Sequence, residues 1–485
     1  MFQIIIFNYI CGVYFRRFLY DFINMNHHYN KSYVTAITLV ATLGGLLFGY
    51  DTAVISGAVG AIKACFTDAL QLGSFVHGAT VSSALVGCII GGMISGYFSS
   101  NFGRRTTLKI AAVLFFLSAL GSAFPETFFF AKGEMSMGLL LAFNFYRIVG
   151  GVGVGLASAV CPMYIGEIAP AAIRGRLVSC NQFAIIFGML VVYFVNWGIA
   201  RGQTDAWINH TGWRYMFLSE TIPALLFGIL LFFVPETPRF LVLSNRNDMA
   251  LNVLTRINGK ELAKTILAEI KETVHQVSSS KLFSYGRVVI IVGILLSVFQ
   301  QFVGINVALY YAPSIFKQMG AATDASMLQT VVMGFVNVVF TVVAIVTVDK
   351  WGRKPLLITG SIGMAAGMFA ISALAFTNTI GISTLVFIIL YTASFMMSWG
   401  PICWVLIAEI FPNRIRGKAV AVAVAAQWIA NYLISSTYPP MMEFSGGMTY
   451  GFYAVMSVLS AIFVWKMVPE TKGKTLEEMD KLWKK

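Results

Sequence analysis

Glu167-Ile168-Ala169-Pro170-Ala171-Ala172-Ile173-Arg174-Gly175-Arg176 returns later in the chain as Glu409-Ile410-Phe411-Pro412-Asn413-Arg414-Ile415-Arg416-Gly417-Lys418. Two further pairs keep the same order at a nearly constant offset: Phe102-Gly103-Arg104-Arg105 with Trp351-Gly352-Arg353-Lys354, and Pro235-Glu236-Thr237 with Pro469-Glu470-Thr471. Three motifs repeating in register indicate two halves built on one plan. The sequence between them is apolar. With 58% hydrophobic and 11% charged residues over 485 positions, the chain is too apolar for a soluble protein of this size. Its mean hydropathy of +0.77 says the same.

Apolar runs of about 20 residues, the length that crosses a bilayer, predict twelve helices. They fall near 34–61, 76–99, 108–124, 138–165, 177–200, 215–234, 286–317, 325–348, 355–376, 382–408, 418–440 and 449–468. The expected fold class is therefore an all-α polytopic membrane protein, with twelve transmembrane helices in two six-helix halves. The divisions are an N-terminal extension (1–33), a first half (34–234), a linker with short helices (235–285), a second half (286–468) and a tail (469–485). Residues 1–24 place their apolar run ahead of Arg16-Arg17, the reverse of a secretory signal. They read as a start assigned too early or as an interfacial anchor.

Lys and Arg cluster after the second, fourth, eighth and tenth spans, which places those loops, both termini and the linker on the cytoplasmic side of the plasma (inner) membrane. The net charge of +13 follows from that topology and from contact with anionic membrane lipid, and no basic patch for nucleic acid is expected. The six cysteines show no zinc spacing or disulfide framework, so no metal and no cofactor are expected. Gly150-Gly151-Val152-Gly153-Val154-Gly155 mimics a dinucleotide fingerprint but lies mid-span with no strand before it, where close helix packing is its role. Gly473-Lys474-Thr475 lacks the earlier glycine of a phosphate loop, and no ATP-driven engine is encoded.

Polar residues inside the apolar runs carry the function. Gln300-Gln301-Phe302-Val303-Gly304-Ile305-Asn306 sets three amides around a helix-breaking glycine. Amides both donate and accept without net charge, as sugar hydroxyls do, and an unpaired amide in hydrocarbon costs about 4–8 kcal/mol. Gln427, Trp428 and Asn431 adjoin on one helical turn. Asp51 in the first span and Arg147 in the fourth are intramembrane charges that need a partner, and such residues are functional by default. The paired rim motifs put Arg104, Glu167, Arg174 and Glu236 in one half, with Arg353, Glu409, Arg416 and Glu470 in the other. Arginine forks that hold and release carboxylates there suit a cytoplasmic latch.

These motifs together resemble the sugar porter family of the major facilitator superfamily from about residue 30 onward, with the bacterial xylose–proton symporters as nearest likeness. The resemblance implies a monosaccharide held between the halves by Gln182, Gln300, Gln301, Asn306, Asn337, Trp404 and Gln427, in a cavity lined by Phe48, Tyr310, Phe395 and Trp428. It further implies proton coupling through Asp51 and Arg147, with Glu220 assisting. The expected function is proton-coupled symport of a monosaccharide by a monomer, D-xylose favoured over D-glucose or another aldose. Met189 stands where xylose symporters carry a second glutamine, which weakens the preference for xylose. An uncoupled uniporter is the alternative that Asp51 disfavours. A membrane sugar sensor would be expected to carry a long signalling extension beyond the last span. An enzyme is excluded because no nucleophile, base and acid converge in any motif.

Overall fold

The computed structural model describes residues 29–127, 130–131, 135–170, 173–274, 282–318, 320–412 and 415–472. The N-terminal extension through residue 28 and the Gly473-Lys474-Thr475 motif lie outside the described residues. Within them the chain is helical, and eleven helices are long and apolar enough to cross a membrane. The sixth span is built from two shorter pieces, Trp213–Leu218 and Thr221–Leu230, so the architecture is the twelve-span, two-half fold expected.

Local chemistry sets the helix starts. Asn30 accepts from the Tyr33 N–H at 3.1 Å at the head of Lys31–Ile62. Ser136 and Ser445 likewise cap Met137–Ile168 and Gly446–Met467 through the N–H groups of Leu139 and Met448. Each cap satisfies a donor that the first helical turn leaves open. In the linker Thr237 caps Pro238–Leu243 through Phe240, with Pro238 in the first turn where its missing N–H does no harm. Two further short helices follow, Asn247–Asn258 and Lys260–Val274. Their first helix turns its apolar side inward through Ala250, Val253, Leu254 and Ile257.

Between spans, glycine decides the distance of approach. A Cβ on Gly151 would sit 1.8 Å from the Ala84 carbonyl oxygen and one on Gly87 2.0 Å from that of Ile148, so the second and fourth spans touch backbone to backbone. This is the packing role read for the glycine-rich stretch. The first and fifth spans use the same device, Gly49 against Ile185 and Gly188 against Leu46.

Besides the sixth, three predicted spans are interrupted. The second kinks at Ser82, between Ser74–Val81 and Ser83–Phe102. The seventh ends at Phe302, resumes as Ile305–Tyr310 and again as Ala312–Gln318. The tenth divides at Ser398 into Ile382–Met397 and Trp399–Glu409. Backbone groups freed by such breaks must be satisfied inside the protein, and the polar site lies where they are.

Candidate functional site

Gly304 sits at φ +90°, ψ 16°, a left-handed conformation that side chains strain to adopt. A Cβ there would also meet the Tyr453 ring at 2.8 Å. The break it makes folds three amides of the seventh span onto one another. Asn306 Nδ2 donates to Gln301 Oε1 at 2.5 Å, and Gln301 Nε2 to Gln300 Oε1 at 3.2 Å. Gln427 on the eleventh span donates to the same Gln300 oxygen. Gln300 in turn gives its N–H groups to the carbonyls of Trp399 and Gly400, at 3.0 and 3.3 Å.

In three of the residues expected at the site a buried polar atom has no hydrogen-bond partner among the described residues: Gln427 Oε1, Asn337 Oδ1 and Trp428 Nε1. Buried polar groups are nearly always paired. Two acceptors and one donor left open beside an amide cluster can receive a ligand rich in hydroxyls, which offer both roles. Aromatic faces complete the lining. Phe48 of the first half tilts onto Trp428 of the second with centroids 5.7 Å apart, while Tyr310 and Phe395 are buried and Trp404 and Gln182 half-buried. Met189 is buried on the face it shares with Gln182.

The charged pair belongs wholly to the first half. Arg147 Nη1 meets Asp51 Oδ1 at 2.7 Å, with the two side chains 1% and 0% exposed, and Arg147 Nη2 also donates to the Asp51 carbonyl at 3.1 Å. The break in the sixth span at Ser219 and Glu220 leaves the Glu220 carboxyl fully buried in the same half. Among the described residues no donor reaches Asp51 Oδ2 or either Glu220 oxygen. The pair is close to the amide cluster through one helical turn, because Asp51 follows Phe48 by three residues and Phe48 touches Trp428.

The rim residues form two matching networks, each within its own half. Arg104 Nη2 binds Glu167 Oε1 at 2.8 Å, and Arg353 Nη2 binds Glu409 Oε1 at 3.1 Å. Each guanidinium makes a single contact to its carboxylate where bidentate forks were expected. Glu236 and Glu470 do not hold guanidiniums; they accept from backbone N–H groups at helix starts, Glu236 from Arg104 and Arg105, Glu470 from Arg353 and Lys354. Gly103 and Gly352, at φ +90° and +91°, leave room for those carboxylates. Carboxylates at helix N-termini are favoured by the helix dipole. Arg416 donates to the Phe411 carbonyl at 3.2 and 3.3 Å, and Arg174 is exposed in the first turn of its helix.

The two caps differ in electrostatics. Burial pushes the Glu236 carboxyl up despite the N–H groups of Thr237, Arg105 and Arg104. Burial also acts on Glu470, but the N–H groups of Lys472, Lys354, Arg353 and Thr471 outweigh it and hold that carboxyl below its ordinary range. As pH falls at this face Glu236 therefore takes up its proton before Glu470.

On the opposite face the halves are joined. Ser74 donates to Glu443 at 2.6 Å, Thr323 to Asp205, and Lys317 approaches Asp205 to 3.7 Å. Deeper in, Tyr193 donates to the Leu309 carbonyl at 3.4 Å. A Cβ on Gly78 would lie 2.2 Å from the Ser436 carbonyl oxygen, so the second and eleventh spans also meet there without a gap.

Sequence reasoning missed the break at Ser398, the bonds from Gln300 to the Trp399 and Gly400 carbonyls, and the buried Tyr391. The signal was present as Gly400-Pro401, since Pro401 has no N–H to return to the Met397 carbonyl one turn earlier.

Residues 37–483 match the family described as "Sugar (and other) transporter". The D-xylose-proton symporter of Escherichia coli K12 is 54% identical over 478 residues, 95% of this chain and 97% of that protein. The arabinose-proton symporter of Bacillus subtilis is 42% identical over 462 residues, 94% and 96% of the two chains. The inward-open structure of the xylose transporter XylE from E. coli superposes with a TM-score of 0.85 at 53% identity, covering 93% of this chain and all of that one. The chain belongs to the sugar transporter family and has the fold of its major facilitator members.

Proposed function

We propose that this protein takes up a neutral monosaccharide together with a proton by alternating access, with D-xylose the first candidate and D-glucose or another aldose next. The observation that carries the reading is an amide cluster with open buried acceptors and an indole donor, linked through Trp428 and Phe48 to a buried acid–arginine pair whose Asp51 is one helical turn from Phe48. The name of the E. coli relative supports the choice of sugar and of coupling. The basic loops mark the cytoplasmic face, both termini lie there, and the protein acts as a monomer in contact with anionic lipid. The joined outer face supports an inward-facing state.

The chain's own residues supply the cycle. While Arg147 touches Asp51 the carboxylate is balanced. When the halves rock and the contact opens, an unbalanced charge in hydrocarbon is costly, and a proton relieves it. One proton moving through 100 mV supplies about 2.3 kcal/mol, enough to concentrate a neutral sugar roughly fifty-fold. Glu220 lies where it can share or relay that proton. Counterflow by the purified protein in liposomes, across a panel of pentoses and hexoses, tests the substrate class. Exchange of none of them would overturn it.

Met189 gives a specificity test. An apolar thioether accommodates the extra hydroxymethyl group of a hexose better than an amide does. Met189→Gln is therefore expected to shift the affinity ratio toward pentose by at most about 1.5 kcal/mol, the worth of one neutral hydrogen bond. Competition binding with xylose and glucose reads the ratio, and no change would show that the side chain does not reach the sugar.

The rim networks are proposed as the cytoplasmic latch, each half bracing its own helix ends. Arg104→Ala, Glu167→Gln, Arg353→Ala and Glu409→Gln should each slow turnover while leaving equilibrium sugar affinity within about threefold, since one weak polar contact is worth little more. Affinity losses as large as those of the cluster amides would place these residues nearer the ligand.

A further inference from the structure

The two broken spans of the second half are bonded to each other beside their breaks. The break in the seventh span leaves the Val303 carbonyl open, and Tyr391 of the tenth span donates its hydroxyl to it at 2.8 Å. The Trp399 and Gly400 carbonyls lie in the first turn after the tenth-span break, and Gln300 of the seventh donates to both. The tenth-span break is itself anchored. Trp399 Nε1 donates to Ser361 Oγ at 2.7 Å and to the Leu357 carbonyl at 3.2 Å, and Ser361 bonds Ser460 at 2.9 Å. Gly360 leaves the space that Ser398 fills, since a Cβ there would lie 1.8 Å from Ser398 Oγ.

Gln300 is consequently the amide of the cluster whose capacity is fully used: both N–H groups go to the tenth-span carbonyls and its oxygen accepts from Gln301 and Gln427. A sugar hydroxyl that engages the Gln300 N–H groups has to displace one of those carbonyls. Gln427 and Asn337, by contrast, have oxygens open to a ligand without displacing anything.

We propose that Tyr391 and Gln300 stitch the two breaks into one moving unit, that Tyr391 and Trp399 are positioning residues for transport, and that sugar acts on the tenth span by competing with its carbonyls for Gln300. The last part rests on the sugar-site reading above; the stitch itself does not. Neither positioning residue lies among the ligands expected from sequence, and each acts through backbone or through another side chain.

The test uses the full chain in liposomes with Tyr391→Phe, which removes one hydroxyl, and Trp399→Phe, which removes the indole N–H. Each is expected to lower counterflow turnover about three- to tenfold, the kinetic equivalent of one hydrogen bond, with xylose affinity within about twofold. Hydrogen exchange in the sugar-free protein provides the second readout. Trp399→Phe should raise exchange around Gly304 as well as around Ser398, although the indole N–H is bonded only to residues of the ninth span. Turnover within twofold of wild type in both variants, a parallel fall in affinity and turnover, or exchange rising only at the mutated break would each overturn the stitch. If wild type binds none of the sugars offered, the site reading fails, and the exchange result still decides the stitch.

Discussion

Asp51→Asn is expected to bind sugar and exchange it across the membrane while losing all accumulation against a gradient. The substitution keeps the shape of the side chain and one acceptor for Arg147, and the Asp51 carbonyl still receives Arg147 Nη2, so the local fold has reason to survive. What it removes is a group that can gain and lose a proton in each cycle. Arg147, 1% exposed, then lacks its counter-charge. Leaving a buried charge unpaired destabilises strongly, by about 3–5 kcal/mol, so reduced yield is expected alongside the functional loss. Measuring proton entry and counterflow on the same liposomes separates the two effects. If Asp51→Asn still drives sugar uphill with proton entry, the carrier is another group, and Glu220, also fully buried in the first half, is the next to replace.

Gln301→Ala and Trp404→Ala are expected to weaken sugar affinity by roughly five- to hundredfold each while the protein still reaches the membrane, since an unsatisfied buried polar partner costs about 1–3 kcal/mol. Gln301 stands in the middle of the chain from Asn306 to Gln300. Its removal leaves Asn306 Nδ2 without its acceptor and loosens Gln300, so the defect extends beyond one contact. Trp404 is half-buried, and its indole offers both a donor and an apolar face for the sugar ring. Equilibrium binding of xylose to the detergent-solubilised variants reads the effect directly, and near-normal affinity in both would move the site elsewhere.

How much of this was legible in the sequence depends on which force placed each residue. The spans and their repetition were readable because solvent transfer sets them and because the motifs at their ends recur in order. Gly304 announced its break, since a glycine among amides has few other uses in a membrane helix. The interruptions at Ser398 and at Ser219–Glu220 fall at short polar steps within longer apolar runs, and averaged hydropathy does not register where a backbone hydrogen bond is lost. The sixth span accordingly reads as one helix in the sequence and is two in the structure.

The rim shows a different limit. Arg104, Glu167, Glu236 and their counterparts were recognisable as a set, yet partner choice is tertiary. That Glu236 and Glu470 cap backbone N–H groups, while Glu167 and Glu409 take the guanidiniums, depends on the positive φ of Gly103 and Gly352 and on where the linker and tail return. Likewise the full engagement of Gln300 depends on how the broken tenth span sets the Trp399 and Gly400 carbonyls against the seventh. No spacing rule reaches that far.

The most direct test of the central claim is the pH inside liposomes that contain the wild-type protein, with no starting gradient, when D-xylose is added outside. Lumenal acidification that depends on the sugar and disappears in Asp51→Asn is expected. Xylose counterflow with no movement of protons would contradict coupling and make the protein a uniporter.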